Sequence, residues 1–354
     1  MASPQFQTCI GLIGGSGLLK STHPVLTSLK TLEVTTTHGR VLLHEGHIPA
    51  EGDRLPTRLL FVQRHAAAPH YAYVQPADIN YAAIALALQA QGAQLVFGIT
   101  SVGSLQKTLK VGSFVCPDDY YCPYDVRRVY SDARAHTMPE LDEPLRVACQ
   151  EALASVGISV VDGGVYVNTK GPRFETKAEI RSLATAGDVV GMTGAHEAAA
   201  CREVRVPYAM LCVIDNFARG VGPDFTLEDF HAVQAANMEA VERALIALLP
   251  ALASHAQSLG PAAASSTGRL PTAGREAVDL LVRARWVLTM AEGCLPLDDG
   301  AVVVKDSKIV AVLPGDEALA KYDAAEVVSL PHHCVMPGLV NAHTHLAMNL
   351  LRGT

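Results

Sequence analysis

The chain is 354 residues long, 49% hydrophobic and 18% charged, which supplies apolar material for two domain-sized units and excludes a disordered protein. Aromatic residues make up only 5%, too few for a platform that stacks the bases of single-stranded nucleic acid. A net charge of -7 argues against a polyanion-binding surface, so any phosphate bound here is a small one in a local pocket.

Along the first ~250 residues, short apolar runs alternate with amphipathic stretches, the pattern of an α/β fold with a mostly parallel sheet flanked by helices. CIGLIGGSGLL (9–19) reads as a strand entering a glycine-rich turn, and TRLLFVQRH (57–65) as a strand ending on two basic residues. NYAAIALALQAQGA (80–93) reads as a helix and QLVFGITSVGSL (94–105) as a strand. EPLRVACQEALASVG (143–157) predicts a helix, and residues 160–176 predict strand and loop before a helix over 177–187. PYAMLCVIDN (207–216) is the last strand of this part, followed by a long helix from Leu227 to Leu252.

Residues 253–276 are rich in Ala, Ser, Gly and Pro without periodicity and read as a linker. Residues 277–354 then show successive strand-like runs, giving a small β-rich C-terminal unit. The eight cysteines form no CxxC pair, which excludes a zinc knuckle or thioredoxin-like motif and favours reduced, buried thiols. No apolar run reaches membrane-spanning length and the N-terminus lacks a signal peptide's basic region, so a cytoplasmic protein is expected.

Ligands of open α/β sheets collect outside the carboxyl ends of strands, and four features fall there. Gly14-Gly15-Ser16-Gly17 lets the backbone approach an anion and adds a hydroxyl, but fits neither the dinucleotide fingerprint nor the P-loop. Arg64-His65 sets a cation and an imidazole at a strand end, suiting a small oxyanion. Thr100 and Ser101 lead into Gly103 and offer hydroxyl and backbone donors. The fourth comprises GPRFET (171–176), GMTGAHE (191–197) and VIDNF (213–217). Each alone could be a surface turn.

In this order and spacing the motifs resemble the trimeric purine nucleoside phosphorylase and methylthioadenosine phosphorylase family, over roughly residues 8–252. The resemblance implies that Ser16, Arg64, His65, Thr100, Ser101 and Thr193 hold phosphate and that Met192 lies under the ribose. It implies attack of phosphate on C1′ as the purine leaves, with phosphate as co-substrate and neither cofactor nor metal. It further implies a homotrimer acting on small nucleosides, with no nucleic-acid or membrane partner. Phe174, Glu175, Asp215, Asn216 and Ala218 would line the base. Two departures stand out: Ala66 replaces the family's glycine after Arg-His, and Ala195-His196-Glu197 replaces its Val-Pro-Glu.

Chemistry narrows the base. A 6-oxopurine shows an N1–H donor and an O6 acceptor; an ionised Glu175 accepts from the first, and Asn216 donates to the second while accepting from N7–H. The adenine-specific branch is expected to carry a small hydroxyl residue and an Asp there, so a 6-oxopurine enzyme is predicted. At the 5′ end, Leu227 and Phe230 suit a thiomethyl group, whereas His231, or His136 from a neighbouring subunit, suits a hydroxyl.

VMPGLVNAHTHLAM (335–348) resembles the first barrel strand of metal-dependent amidohydrolases, nearest the branch that deaminates methylthioadenosine and S-adenosylhomocysteine. His343 and His345 would be two metal ligands of such a site, and two alone do not hold a catalytic metal. Residues 277–354 are therefore expected to be a truncated amidohydrolase fragment without an active site. A deaminase of that branch makes methylthioinosine, a 6-oxopurine nucleoside, so methylthioinosine is the expected substrate. The alternatives are an inosine or guanosine phosphorylase, a methylthioadenosine phosphorylase, and, from a different class, an incomplete metal-dependent deaminase.

Overall fold

β1 (Cys9–Gly14) and β5 (Leu95–Ser104) are covered on both faces almost throughout, as their near-continuous apolar sequences require of central strands. The computed structural model describes residues 8–15, 18, 29–49, 56–69, 73–124, 126–259, 276–290 and 296–338. The chain divides into two compact units, Met1–Ser265 and Ser266–Thr354.

The first unit adds β2 (Lys30–Thr36), β3 (Gly39–Ile48), β4 (Thr57–Gln63), β6 (Phe114–Cys116), β7 (Asp119–Tyr121), β8 (Val160–Asp162), β9 (Val165–Asn168), β10 (Val189–Gly191) and β11 (Tyr208–Phe217). Its helices are α1 (Tyr81–Ala90), α2 (Glu143–Ser155), α3 (Lys177–Leu183), α4 (Gly194–Glu203) and α5 (Leu227–Ser258). One mixed sheet runs β2-β3-β4-β1-β5-β10-β9-β7, with β11 also paired to β5 and leading through β6 to β8. The β1–β4, β1–β5 and β5–β11 pairings are parallel. This is the α/β architecture expected from the sequence.

Alternation along β5 and β11 divides the core. Val96, Met210, Cys212 and Ile214 pack with α1 and α4 on one face. Leu95, Phe97, Ile99, Leu211 and Val213 pack with α2 and α5 on the other, as a two-residue side-chain period demands. The described cysteines are all free, and Cys9, Cys116, Cys149, Cys201 and Cys212 are buried.

Several elements differ from the sequence reading: β6, β7, β10 and α4 were not anticipated, and two further differences have a plain cause. The β2–β3 hairpin was not anticipated; it forms an edge whose β2 buries only Val34, leaving little apolar alternation to read. Helix α5 continues to Ser258, past the expected end at Leu252, because Ala253 and Ala256 keep the buried stripe going into the alanine-rich stretch. Residues 260–275 of the expected linker lie outside the described residues.

The second unit holds β12 (Glu276–Val287), β13 (Leu297–Lys305), β14 (Lys308–Pro314), α6 (Gly315–Lys321) and β15 (Tyr322–Val335). Its sheet runs β14-β13-β12-β15, and α6 carries the chain across to the parallel β12–β15 pair. Val278, Leu281, Ala301, Val303, Ala318 and Tyr322 form its core. The small, β-rich character expected of this unit is present.

Candidate active site

Sheet register builds the first part of the site. Gly14 of β1 stands level with Gln63 of β4 and Ile99 of β5, so Gly15 and Arg64 emerge at two parallel carboxyl ends beside Thr100, within β5. β5 exchanges neighbours just beyond this level, pairing with β1 up to Ile99 and with β10 at Gly103 and Ser104, so Thr100 and Ser101 fall where β1 has ended and β10 has not begun.

Arg64 is only 2% exposed. Its Nε donates to Glu197 Oε1 at 2.5 Å and its Nη2 to Glu197 Oε2 at 3.1 Å, a two-pronged buried ion pair. Nη1 donates to Ile99 O at 3.1 Å, and Nη2 also reaches Ile13 O at 3.4 Å. A Cβ on Gly15 would lie 2.8 Å from Nη1, so only glycine lets the strand end approach the guanidinium this closely. The neighbouring Glu197 charge keeps Arg64 above its ordinary pKa despite burial.

His65 is buried, stacks on Tyr73 with ring centres 5.0 Å apart, and has Nδ1 2.9 Å from Val74 O. Because a carbonyl only accepts, Nδ1 carries the proton and Nε2 of the neutral ring is an acceptor. Burial lowers the pKa of this ring, and the Arg64 charge adds to the effect.

Beside Arg64, Thr100 is buried, and Ser101 donates its hydroxyl to Asp215 Oδ2. The β5–β11 register slips between Ile214 and Asn216, making Asp215 the extra residue of a bulge that turns its carboxylate toward Ser101. Asn237 of α5 donates to Asp215 Oδ1 at 2.7 Å, and burial raises the Asp215 pKa. Gly15, Ile99, Thr100, Ser101, Asp215, Gln234 and Asn237 share a small cavity of about 30 Å³. Asp215, expected at the base, is thus placed against the Thr100–Ser101 side.

Thr193 precedes α4 without its side chain capping the helix, and lies one turn before Glu197, on the same helix face. The hydroxyl of Tyr166 accepts from the backbone of Thr193 at 3.2 Å and Gly194 at 3.1 Å, satisfying two first-turn N–H groups. Met192 packs on Gly171: a Cβ there would lie 2.5 Å from its sulfur.

The candidate base residues flank the end of β10. Glu175 is 8% exposed, and Thr169 Oγ1 lies 2.5 Å from Oε1 and 3.2 Å from Gly191 O. Asn216 is likewise buried; its Nδ2 donates to Phe217 O at 2.9 Å and would be 3.1 Å from a Cβ on Gly103. Ala218 is buried and would lie 3.6 Å from the same Cβ.

An aromatic cluster joins the base and 5′ candidates. Phe174 meets Phe230 edge-on at 5.4 Å and Phe225 at 5.5 Å, and His231 lies 5.5 Å from Phe230. Leu227 and His231 are exposed at the start of α5. His136 lies apart, in a cleft of about 570 Å³ with Tyr130, Arg134, Met138, Arg202 and Tyr208. No other candidate site residue lines that cleft. Ser16, His343 and His345 lie outside the described residues.

Sequence reasoning missed the partners that hold these groups: Glu197, Tyr166, Thr169, Phe225 and Asn237. Only Glu197 carried a local signal, its four-residue spacing from Thr193 on one helix. Among the described residues no group of three or more His, Cys, Asp or Glu could hold a metal ion, and no helix is long and apolar enough to cross a membrane.

Residues 10–250 match the family model of the phosphorylase superfamily. The chain is 34% identical over 213 residues to a probable 6-oxopurine nucleoside phosphorylase of Archaeoglobus fulgidus, covering 60% of this chain and 83% of that protein. It is 34% identical over 228 residues to a probable S-methyl-5′-thioinosine phosphorylase of Methanothermobacter thermautotrophicus, covering 60% of this chain and 73% of that one. An S-methyl-5′-thioadenosine phosphorylase of Thermofilum pendens is 30% identical over 250 residues, covering 69% of this chain and 92% of the relative. Among solved structures, methylthioadenosine phosphorylase from Schistosoma mansoni in complex with tubercidin superposes with a TM-score of 0.58 at 22% identity, covering 71% of this chain and 97% of that one. At that identity the likeness is one of fold.

Proposed function

This chain belongs to the phosphorylase superfamily, and on that premise we propose that it cleaves a 6-oxopurine nucleoside with inorganic phosphate. We take the substrate to be S-methyl-5′-thioinosine, giving hypoxanthine and 5-methylthioribose 1-phosphate. The observation that carries the base assignment is the pair of buried amide and carboxylate groups at the end of β10. Glu175 has one oxygen engaged by Thr169, leaving the other to accept from purine N1–H. Asn216 spends one N–H on Phe217 O, leaving its carbonyl to accept from N7–H and its second N–H to reach O6.

Phosphate, gathered near Arg64, Thr100, Ser101 and Thr193, attacks C1′ with an oxygen lone pair. The C1′–N9 bond breaks through an oxocarbenium-like transition state, and its electrons move into the purine. A proton taken up at N7 from solvent lets the ring leave as neutral hypoxanthine, and the Asn216 carbonyl accepts from that N7–H and holds it in place. Positioning the dianion in line with C1′ supplies most of the remaining acceleration.

The apolar Phe174–Phe225–Phe230 cluster favours a thiomethyl group at the 5′ end. So does the resemblance of residues 335–348 to deaminases whose product is that nucleoside. His231, beside Phe230, supports a second reading in which a 5′-hydroxyl is bound and inosine or guanosine is cleaved. The assembly in either reading is a homotrimer in which the cleft holding His136 meets a neighbouring subunit.

The test is free-base release, with and without phosphate, from methylthioinosine, inosine, guanosine and methylthioadenosine in parallel. Phosphate-dependent cleavage of methylthioinosine above the others is expected. Preference for inosine or guanosine would move the 5′ assignment to a histidine, and preference for methylthioadenosine would overturn the base assignment.

A further inference from the structure

Glu197 lies 133 positions from Arg64 in sequence, yet its carboxylate takes up the guanidinium more completely than any other group does. A guanidinium has five N–H bonds. Nε–H and one Nη2–H go to Glu197, the other Nη2–H to Ile13 O, and one Nη1–H to Ile99 O. One N–H is left, on Nη1, the nitrogen beside Gly15. The cation is thus clamped, and it turns a single donor toward the glycine-rich strand end.

The clamp is itself held. Tyr208 of β11 donates its hydroxyl to Glu197 Oε2 at 2.7 Å. A Cβ on Gly98 would stand 2.3 Å from that hydroxyl and 3.2 Å from Glu197 Oε2, so β5 is bare where Tyr208 and Glu197 pass it. Arg64, Glu197 and Tyr208 are all 3% exposed or less. Burial and the Glu197 charge keep Tyr208 protonated, hence a donor.

Glu197 sits in the first turn of α4, one turn after Thr193, the residue that immediately precedes the helix. One helix therefore carries a candidate phosphate ligand at its start and the anchor of a second candidate ligand four residues on. A shift of α4 would move Thr193 and Arg64 together.

We propose that Glu197 is a positioning residue for phosphate: supported by Tyr208, it orients Arg64 and couples it to Thr193 through α4. This rests on the assignment of Arg64 and Thr193 to phosphate. Glu197 also neutralises Arg64, so two opposite consequences follow from removing its charge. If charge dominated, Glu197→Gln would leave a more cationic pocket and tighten phosphate binding. If orientation dominates, as a clamp of this completeness requires, the variant weakens it.

The experiment compares the full-length protein with Glu197→Gln, Glu197→Asp and Tyr208→Phe. KM for phosphate is measured at saturating nucleoside, and KM for nucleoside at saturating phosphate. Each variant's thermal midpoint is recorded alongside. Glu197→Gln is expected to raise the phosphate KM about 10- to 100-fold while the nucleoside KM stays within about 3-fold. Glu197→Asp should recover part of the loss, and Tyr208→Phe should raise the phosphate KM about 3- to 10-fold. An unchanged or lowered phosphate KM in a folded variant overturns the proposal, as does an equal rise in both constants. If Glu197→Gln does not fold, Tyr208→Phe decides alone on the same criteria. If the wild-type protein cleaves no nucleoside with phosphate, the functional reading has failed, and titration calorimetry with inorganic phosphate replaces kinetics. Weaker phosphate binding by Tyr208→Phe then supports the clamp, while equal affinity, or no binding by the wild type, overturns it.

Discussion

The hydroxyl of Thr169 lies 2.5 Å from Oε1 of Glu175, and both residues are buried. This contact fixes which carboxylate oxygen is free to meet a ligand. A site built to accept from N1–H penalises a base that presents a lone pair there, and such mismatches cost about 10⁴-fold in efficiency. Glu175→Gln should therefore lower kcat/KM for methylthioinosine by about 10²-fold or more while changing that for methylthioadenosine far less. Thr169→Val, which removes only the orienting donor, should cost about 10-fold on the oxopurine. Steady-state kinetics on both nucleosides decides this; equal losses on the two would remove Glu175 from base selection.

Much of the scaffold was legible because burial on two faces leaves a mark in sequence. β1 and β5 are near-unbroken apolar runs, and Leu227–Leu252 carries a helical stripe. The β2–β3 edge left little mark, since one buried residue in β2 makes no pattern. Arg64 stood out at a strand end, whereas Glu175 and Asn216 stood out only because the motifs around them, in their order and spacing, resemble those of a known family. What holds them did not. Glu197 reaches Arg64 across 133 positions, and Asp215 is turned by a bulge that only the β5–β11 register creates. Pairings of that kind arise from tertiary closure.

The Arg64–Glu197 pair has a thermodynamic signature separate from its proposed role with phosphate. Breaking a buried pair from one side strands the other charge and costs about 3–5 kcal/mol, whereas replacing both with apolar side chains is often close to neutral. Arg64→Met should lose about that much stability, and Arg64→Met with Glu197→Met should regain most of it. Neither should cleave nucleoside efficiently. Urea unfolding of the single and double variants measures the difference, and additive losses would show that the two charges are not coupled.

His196 gives the protein an acid-sensitive point. Its ring is 8% exposed, lies 4.9 Å from the Tyr81 ring, and has a buried Nδ1 without a hydrogen-bond partner among the described residues. Burial, helped by Arg127, brings its pKa down to about 4. The unfolded chain takes up this proton near the ordinary value of about 6.5, so between about 6.5 and 4 the unfolded state binds more protons and stability falls as pH falls. The loss attributable to this group is about 2–3 kcal/mol across that window. His196→Phe keeps a ring against Tyr81 and removes the titration, so its unfolding free energy should fall less between pH 7.5 and 4.5. Parallel slopes for the two proteins would show that His196 is not the source.

The 5′ substituent turns on Phe230. Its ring meets Phe174 edge-on at 5.4 Å, and Phe174 in turn meets Phe225, so an apolar wall extends from the candidate base site to the start of α5. His231 follows Phe230 but is exposed, free to turn toward a hydroxyl or toward solvent. Loss of apolar contact to a small group is worth about 1–3 kcal/mol, a factor of roughly 10 to 200 in efficiency. If a thiomethyl group rests on this wall, Phe230→Ala should lower kcat/KM for methylthioinosine by about 10-fold or more and for inosine by less. His231→Ala should then leave methylthioinosine nearly unchanged. The opposite result, inosine cleavage lost in His231→Ala and little preference shift in Phe230→Ala, would assign the pocket to a 5′-hydroxyl. The two variants separate the readings because a thioether gains nothing comparable from an imidazole N–H, whereas a buried hydroxyl requires a partner.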